Sequence, residues 1–142
     1  MSWTRTIAVE FCHCDPAGIV FFPRYFEMAN SVVENFFAAE LGRPFAAVIA
    51  GGNGCPTARI TADFLRPSRL GDVLDFEIAF TRVGRSSAAY RMTGRAGGEA
   101  RLRIEGVLVW TGAGGRPEPW PDDLRAGLEK HLEGHQEGGG DG

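Results

Sequence analysis

Asp15 is the residue best placed for chemistry, because it lies between an extended stretch and the start of a long helical pattern. The first turn of a helix carries unpaired N–H groups and a partial positive charge. Such donors stabilise the oxyanion that forms when a carbonyl carbon is attacked. Pro23 has no N–H, so Phe22 or Arg24 must supply the donor. The carboxylate can act as a nucleophile on the carbonyl carbon or as a general base on water.

The pair Asp15-Pro16 also has a purely local interpretation. Asp and Pro are common in turns, because Asp bonds to the backbone nearby and Pro fixes its own φ angle. Composition alone therefore favours a turn over a catalytic carboxylate at this position.

A second polar cluster occupies the turn between two strand-like segments. Arg82 and Arg85 provide guanidinium groups, Ser86 and Ser87 provide hydroxyls, and Gly84 leaves the backbone open. Arginine binds phosphate with a planar fork of donors, which makes this a candidate phosphate site. The alternative is an ordinary solvated hairpin turn.

The triplet Cys12-His13-Cys14 contains metal-ligand residue types. It offers three ligands at most, and it lacks the second pair of a structural zinc site. Adjacent side chains of an extended chain point to opposite sides, so His13 is expected to lie apart from both cysteines. We therefore predict no metal site. His13 remains a candidate base, with a spectator role as the alternative.

The predicted elements follow the order β-α-β-β-β-β. An antiparallel sheet with the helix packed on one face, an α+β fold, accommodates this order. Apolar residues cover more than one stripe of the long helix, which predicts burial around much of its circumference. The predicted strands are 6–11, 57–65, 73–83, 87–95 and 101–111, and the predicted helices are 24–41, 44–50 and 122–132.

The 142 residues fit one domain, predicted as 1–132, followed by a flexible Gly- and acid-rich tail at 133–142. A net charge of −3 gives no electrostatic case for binding nucleic acid or an anionic membrane. Three cysteines are too few for a disulfide framework, and no apolar run is long enough to span a membrane. These features predict a cytoplasmic protein.

The segment 11–25 resembles the signature of the 4-hydroxybenzoyl-CoA thioesterase family of hotdog proteins. In that signature an aromatic residue precedes Asp-Pro-x-Gly-x-Val, and an x-Pro-x-Tyr helix start follows; this chain has Asp15-Pro16-Ala17-Gly18-Ile19-Val20 and then Phe22-Pro23-Arg24-Tyr25. The segments 54–57 and 72–74 also resemble the second and third strands of the family. The resemblance covers about residues 4–111.

The resemblance implies a hotdog fold, with an antiparallel five-stranded sheet wrapped around one long buried helix. It implies that Asp15 is the catalytic carboxylate and that the amide of Phe22 polarises the thioester carbonyl. It also implies a homodimer with the active site at its interface, and dimers that pair again into a homotetramer. The implied substrate-binding residues are Gly18, Val20, Tyr25, Asn30 and Cys55, and the implied CoA-binding residues are Arg82, Gly84, Arg85, Ser86 and Ser87.

Asn30 is a departure from the family. The acidic residue that faces the phenol of a 4-hydroxybenzoyl group maps to Asn30. An amide can hydrogen-bond a polar ring substituent, but it cannot take a phenolic proton. Asn30 can equally be satisfied by a neighbour inside the core. The acyl group is therefore left open.

The resulting hypothesis is an acyl-CoA thioesterase that converts an aryl or short-chain thioester to free acid and CoA. The reaction requires no metal or redox cofactor, since coenzyme A is part of the substrate. One alternative is a hotdog enoyl-CoA hydratase or dehydratase, which needs a histidine opposite the carboxylate, and His13 is the candidate. Another is a non-catalytic protein that binds acyl-CoA.

Overall fold

The computed structural model describes residues 1–134. Within them, five strands and three helices account for most of the chain. The strands are β1 (Trp3–Ala8), β2 (Thr57–Phe64), β3 (Val73–Val83), β4 (Ser87–Ala96) and β5 (Glu99–Val109). The helices are α1 (Pro23–Glu40), α2 (Phe45–Ala50) and α3 (Asp122–Lys130), and two 3-10 turns lie at Phe11–His13 and Ala113–Gly115.

The strands form one antiparallel sheet in the order β1-β3-β4-β5-β2. Tight turns join β3 to β4 and β4 to β5, whereas β2 reaches its place beside β5 from the far side of the sheet. Helix α1 lies on one face, against β1 and β3. This is the hotdog arrangement that the sequence predicted.

The core lies between α1 and the inner face of the sheet. Alternate residues of β3 point inward, and Leu74, Phe76, Ile78 and Phe80 are fully buried. Full burial of one such side chain contributes about 1.5–3 kcal/mol relative to exposure. The helix contributes its own fully buried side chains, of which Phe36 contacts Phe80 with ring centroids 5.3 Å apart. This packing fixes α1, and with it the position of the helix start.

The prediction that α1 is buried around much of its circumference is wrong for the single chain. Its buried residues lie on one face, and Asn30, Glu34 and Ala38 on the opposite face are exposed. The apolar stripe looked wide because Ala39, which is exposed, and Leu41, which is half-buried, counted as core. Asn30 therefore lies on the outer surface of the chain, and its predicted place on a buried helix is corrected.

Several boundaries differ from the predicted ones for reasons of long-range pairing. Strand β1 begins at Trp3 because residues 3–8 pair with residues 73–78 of β3. It ends at Ala8, and the chain then enters the 3-10 turn, where His13 N–H donates to Glu10 O at 2.9 Å. Strand β5 begins at Glu99 because its partner strand continues to Ala96.

The chain after α3 joins the sheet edge instead of continuing the helix. Phe80 N–H donates to His131 O at 2.8 Å, and Glu133 N–H donates to Phe80 O at 2.7 Å. Glu133, placed in the flexible tail by the sequence, also forms an ion pair with Arg91 at 2.6 Å. Residues 135–142 of the predicted tail lie outside the described residues. Among residues 1–134, no helix has the length and apolar content needed to cross a membrane.

Candidate active site

Asp15 lies just before the turn of a small hairpin, which we call the Asp15 hairpin (Cys14–Val20). Cys14 and Val20 form an antiparallel bridge, and Asp15 N–H donates to Ile19 O at 3.0 Å. Gly18 makes the turn with φ +80°, a conformation that other residues rarely adopt. The backbone of Asp15 is thus held by hydrogen bonds within the hairpin.

One of the two carboxylate oxygens of Asp15 accepts a hydrogen bond from the backbone of the turn. Oδ1 accepts the Ala17 N–H at 2.8 Å, which is the local bond that the turn interpretation expected. Oδ2 makes no hydrogen bond within residues 1–134, and the residue is half-buried. The turn and a chemical role are therefore compatible, because the second oxygen is left available.

Two backbone donors at the start of α1 were candidates for binding an oxyanion. Arg24 N–H donates to Phe21 O at 2.8 Å, so it is already used. Phe22 N–H has no acceptor within the described part of the chain, and Phe22 is exposed at the N-cap of α1. This leaves Phe22 as the donor that a ligand can reach, at the positive end of an 18-residue helix.

An apolar cleft of about 460 Å³ opens beside these groups. The Asp15 hairpin and α1 form one wall, and the end of β2 with the residues after it forms the other. Phe64 lies at its centre, with ring centroids 5.7 Å from Tyr25 and 5.9 Å from Phe22. Such a surface suits a flat or branched apolar group. The cleft is lined by Ile19, Val20, Phe22, Tyr25, Phe64, Leu65, Arg66 and Pro67.

The structure brings some of the predicted substrate-binding residues together and separates others. Val20 and Tyr25 line the cleft, and Gly18 lies in the adjoining turn. Asn30 and Cys55 are not part of its lining. The side of the cleft formed by residues 64–67 was missed, although the alternation of β2 had placed Phe64 on its apolar face.

The hydroxyl of Tyr25 is buried and has no hydrogen-bond partner within residues 1–134. An unsatisfied buried hydroxyl costs about 1–3 kcal/mol. We therefore expect Tyr25→Phe to keep or raise the melting temperature and to leave KM for an acyl-CoA within about twofold, since the ring remains. A thermal melt and steady-state kinetics check this. Loss of both stability and substrate binding would show that the hydroxyl is used.

Cys55 lies in the loop before β2, and burial raises the pKa of its thiol to about 12. Only about one thiol in 10⁴ is then a thiolate at pH 8, which makes it a poor nucleophile. We expect iodoacetamide at pH 8 to modify the exposed Cys12 well before Cys55, as measured by peptide mass spectrometry. Urea-unfolded protein, in which all three thiols should react, is the control. Early labelling of Cys55 in the folded protein would contradict this.

The predicted phosphate cluster lies at the β3–β4 turn, at the end of the sheet opposite the Asp15 hairpin. A Cβ atom on Gly84 would lie 2.9 Å from Ser87 Oγ and 3.3 Å from a terminal nitrogen of Arg82, so these groups converge there. The carbonyls of Gly84 and Arg85 accept hydrogen bonds from Arg125 and from the Trp120 N–H, respectively. One chain therefore does not bring this cluster and Asp15 into one site.

The expectation that His13 lies apart from its neighbours is wrong. The 3-10 turn replaces the extended chain, and side-chain ligand atoms of Glu10, Cys12 and His13 lie within 4.8 Å of one another. The Glu10 N–H donates to His13 Nδ1 at 2.8 Å, which places the proton of the neutral ring on Nε2. His13 lines a polar cleft between β1 and α1, together with Arg5, Glu27 and Ser31, and not the apolar cleft.

Comparison with known proteins identifies similar chains. The family model described as the thioesterase-like superfamily matches residues 9–128. A 4-hydroxybenzoyl-CoA thioesterase of Pseudomonas sp. (strain CBS-3) is 34% identical over 93 residues, which cover 63% of this chain. The match spans 65% of the length of that relative.

Solved structures of similar fold cover most of the chain. A 1,4-dihydroxy-2-naphthoyl-CoA thioesterase from Synechocystis superposes with a TM-score of 0.83 at 18% identity, covering 90% of this chain and 96% of its own. An aspartate-to-asparagine variant of a 4-hydroxybenzoyl-CoA thioesterase, complexed with 4-hydroxybenzoyl-CoA, gives 0.80 at 27% identity, covering 89% and 98%. A gentisyl-coenzyme A thioesterase gives 0.82 at 23% identity, covering 89% and 99%.

Proposed function

The chain belongs to the thioesterase-like superfamily, and we propose that it hydrolyses an acyl-CoA thioester to a free acid and CoA. One observation carries the proposal: Phe22, whose N–H has no acceptor within residues 1–134, lines the apolar cleft, and the hairpin that carries the free Oδ2 of Asp15 contributes Ile19 and Val20 to the same lining. A carboxylate beside a backbone donor at a helix start is the arrangement that acyl transfer requires.

In the proposed reaction, the thioester carbonyl oxygen accepts the Phe22 N–H, and the acyl group occupies the apolar cleft. Asp15 either removes a proton from a water that attacks the carbonyl carbon or attacks that carbon itself. In both cases the carbon–sulfur bond breaks and CoA leaves as a thiolate, which takes up a proton. Direct attack forms an acyl-aspartyl anhydride, which water then hydrolyses to the acid. No metal or redox cofactor takes part in this scheme.

An aryl group is the acyl class that the cleft supports best. Phe22, Tyr25 and Phe64 line it, and a bound aromatic ring that pairs with one of them would gain about 0.5–1.5 kcal/mol. The names of the similar proteins give 4-hydroxybenzoyl, 1,4-dihydroxy-2-naphthoyl and gentisyl groups, each of them aromatic. Branched short-chain groups remain the second option.

The proposal includes a homodimer formed through the free edge of β2. Within residues 1–134 β2 pairs with β5 alone, and the apolar Ile60 and Phe64 of β2 are 38% and 47% exposed. Antiparallel pairing of two β2 strands would extend the sheet and bring the β3–β4 turn of one subunit to the sheet end that carries Asp15 of the other. The Arg82 to Ser87 cluster would then bind CoA phosphates across the interface. Pairing of two such dimers into a homotetramer, and a cytoplasmic location, complete the proposal.

A panel of aryl-CoA and alkyl-CoA thioesters, with free thiol measured colorimetrically, tests the proposed reaction. Release of thiol with benzoyl-type substrates preferred over straight-chain ones is the expected result. Binding of the same compounds without release of thiol would favour a non-catalytic acyl-CoA-binding protein. Hydration of crotonyl-CoA would favour a hydratase, although His13 lines the polar cleft and is not part of the lining of the apolar cleft.

A further inference from the structure

The Asp15 hairpin depends on a second loop, residues 67–72, that lies against it. Val20 N–H donates to Ser68 O at 2.9 Å, and Leu70 N–H donates to Gly18 O at 3.2 Å. Ile19 and Arg69 form the antiparallel bridge between these two bonds. The returning half of the hairpin is thus the middle of three paired segments. A shift of the 67–72 loop would move the backbone that carries Asp15.

The 67–72 loop contains no helix or strand, and one guanidinium joins its two ends. Arg101 on β5 donates to Pro67 O at 3.1 Å and to Ser68 Oγ at 3.2 Å. The same nitrogen lies 2.8 Å from Asp72 Oδ2. Asp72 Oδ2 also accepts the Arg69 N–H at 2.8 Å. The first and last residues of the loop are therefore tied to one side chain, which is 14% exposed.

The charges of this pair are held over a wide pH range. Hydrogen bonds from the Arg69 N–H and then from Arg101 lower the pKa of Asp72, and the bond to Asp72 raises the pKa of Arg101. A carboxyl with a lowered pKa in the folded state contributes stability above its ordinary pKa, and that stability is lost as the pH falls through the lowered value. The ion pair is therefore intact at every pH near neutrality.

We propose that Arg101 is a positioning residue for Asp15, acting through the 67–72 loop. It lies on β5, whereas Asp15 lies in the hairpin before α1, and two backbone hydrogen bonds and one bridge transmit its effect. The inference rests on the proposed thioesterase reaction, in which Oδ2 of Asp15 must stand at a defined place beside the Phe22 N–H. Displacement of a reacting group by about 1 Å can lower a rate by roughly 10²-fold.

Arg101→Lys tests the proposal, because it keeps the charge and removes the planar fork of donors. We expect kcat to fall by about tenfold or more and KM to rise by a smaller factor, since the 67–72 loop and the hairpin form only one side of the acyl cleft, and the aromatic side and the phosphate cluster lie outside them. Asp72→Asn should act in the same direction. Arg103→Lys is the matched control, because Arg103 lies two residues along the same strand and is exposed.

Amide hydrogen exchange of the same variants provides a readout that does not depend on activity. In Arg101→Lys, the amides of Val20 and Leu70 should exchange about tenfold faster, and those of the β3–β4 core should not change. Wild-type kcat, or faster exchange spread evenly over the sheet, would overturn the positioning role. Failure of the wild-type protein to release thiol would instead overturn the proposed function, and the exchange measurement separates the two.

Discussion

Asp15→Asn is expected to lower turnover by ~10²-fold or more while leaving the fold intact. Asparagine still offers a side-chain oxygen to the Ala17 N–H, so the turn that Oδ1 stabilises is preserved. What the variant loses is the negative charge and basicity of Oδ2. The loss of activity can then be assigned to the missing carboxylate, because the hydrogen bond that stabilises the hairpin is kept.

Steady-state thiol release and a thermal melt, performed on the same preparation, check this expectation. Asp75→Asn is a suitable control, since Asp75 is an exposed carboxylate on β3 that also accepts a hydrogen bond, from Thr6. It should retain wild-type activity. Turnover close to wild type in Asp15→Asn would remove Asp15 from the mechanism, whatever the fate of the control.

The two roles left open for Asp15 differ in where oxygen from water appears. If Asp15 attacks the thioester carbon, water then cleaves the anhydride, and one turnover in ¹⁸O-water can leave the label in the Asp15 carboxylate. If Asp15 activates water, the label enters only the released acid. The mass of the peptide that contains Asp15, after a single turnover, distinguishes these routes.

The local elements were predictable because each carries its own pattern. Alternation through Leu74, Phe76, Ile78 and Phe80 identifies β3 with the observed bounds, and Pro23 marks the start of α1. The order of elements then leaves few ways to bury the helix, which predicts an antiparallel sheet packed on it, and the family resemblance identifies this arrangement as the hotdog fold. The sequence could not show which N–H group is free for a ligand. The structure shows that the Arg24 N–H donates to Phe21 O, which leaves the Phe22 N–H.

What the sequence could not supply is pairing between distant residues. The sequence pattern places Arg101 on a strand as an ordinary exposed charge. Its contacts with Asp72 and Ser68 become visible only in the folded chain. The prediction for His13 was wrong for a local reason. It assumed an extended chain at residues 11–13, where the structure has a 3-10 turn. Asn30 looked buried because its neighbours along the chain are apolar, although the helix buries one face only.

Ile60→Asp, on the free edge of β2, is expected to weaken the proposed dimer strongly. Ile60 is apolar and 38% exposed, it lies on the edge strand, and it is not part of the lining of the apolar cleft. A carboxylate buried there in a dimer would lack a partner, and an unpaired buried charge costs several kcal/mol. The dimer dissociation constant should therefore rise by roughly 10²-fold or more, since each 1.4 kcal/mol is a factor of ten.

Sedimentation velocity over a range of protein concentrations measures this change, and Val73→Asp is the matched control. Val73 is 51% exposed and begins β3, a strand that is paired on both sides, so its variant should remain dimeric. If the phosphate cluster of one subunit serves the Asp15 of the other, kcat/KM of Ile60→Asp should fall together with the dimer fraction. A wild-type monomer with full activity would show instead that one chain holds a complete site, and that the Arg82 to Ser87 turn, at the far end of the sheet, binds no part of the substrate.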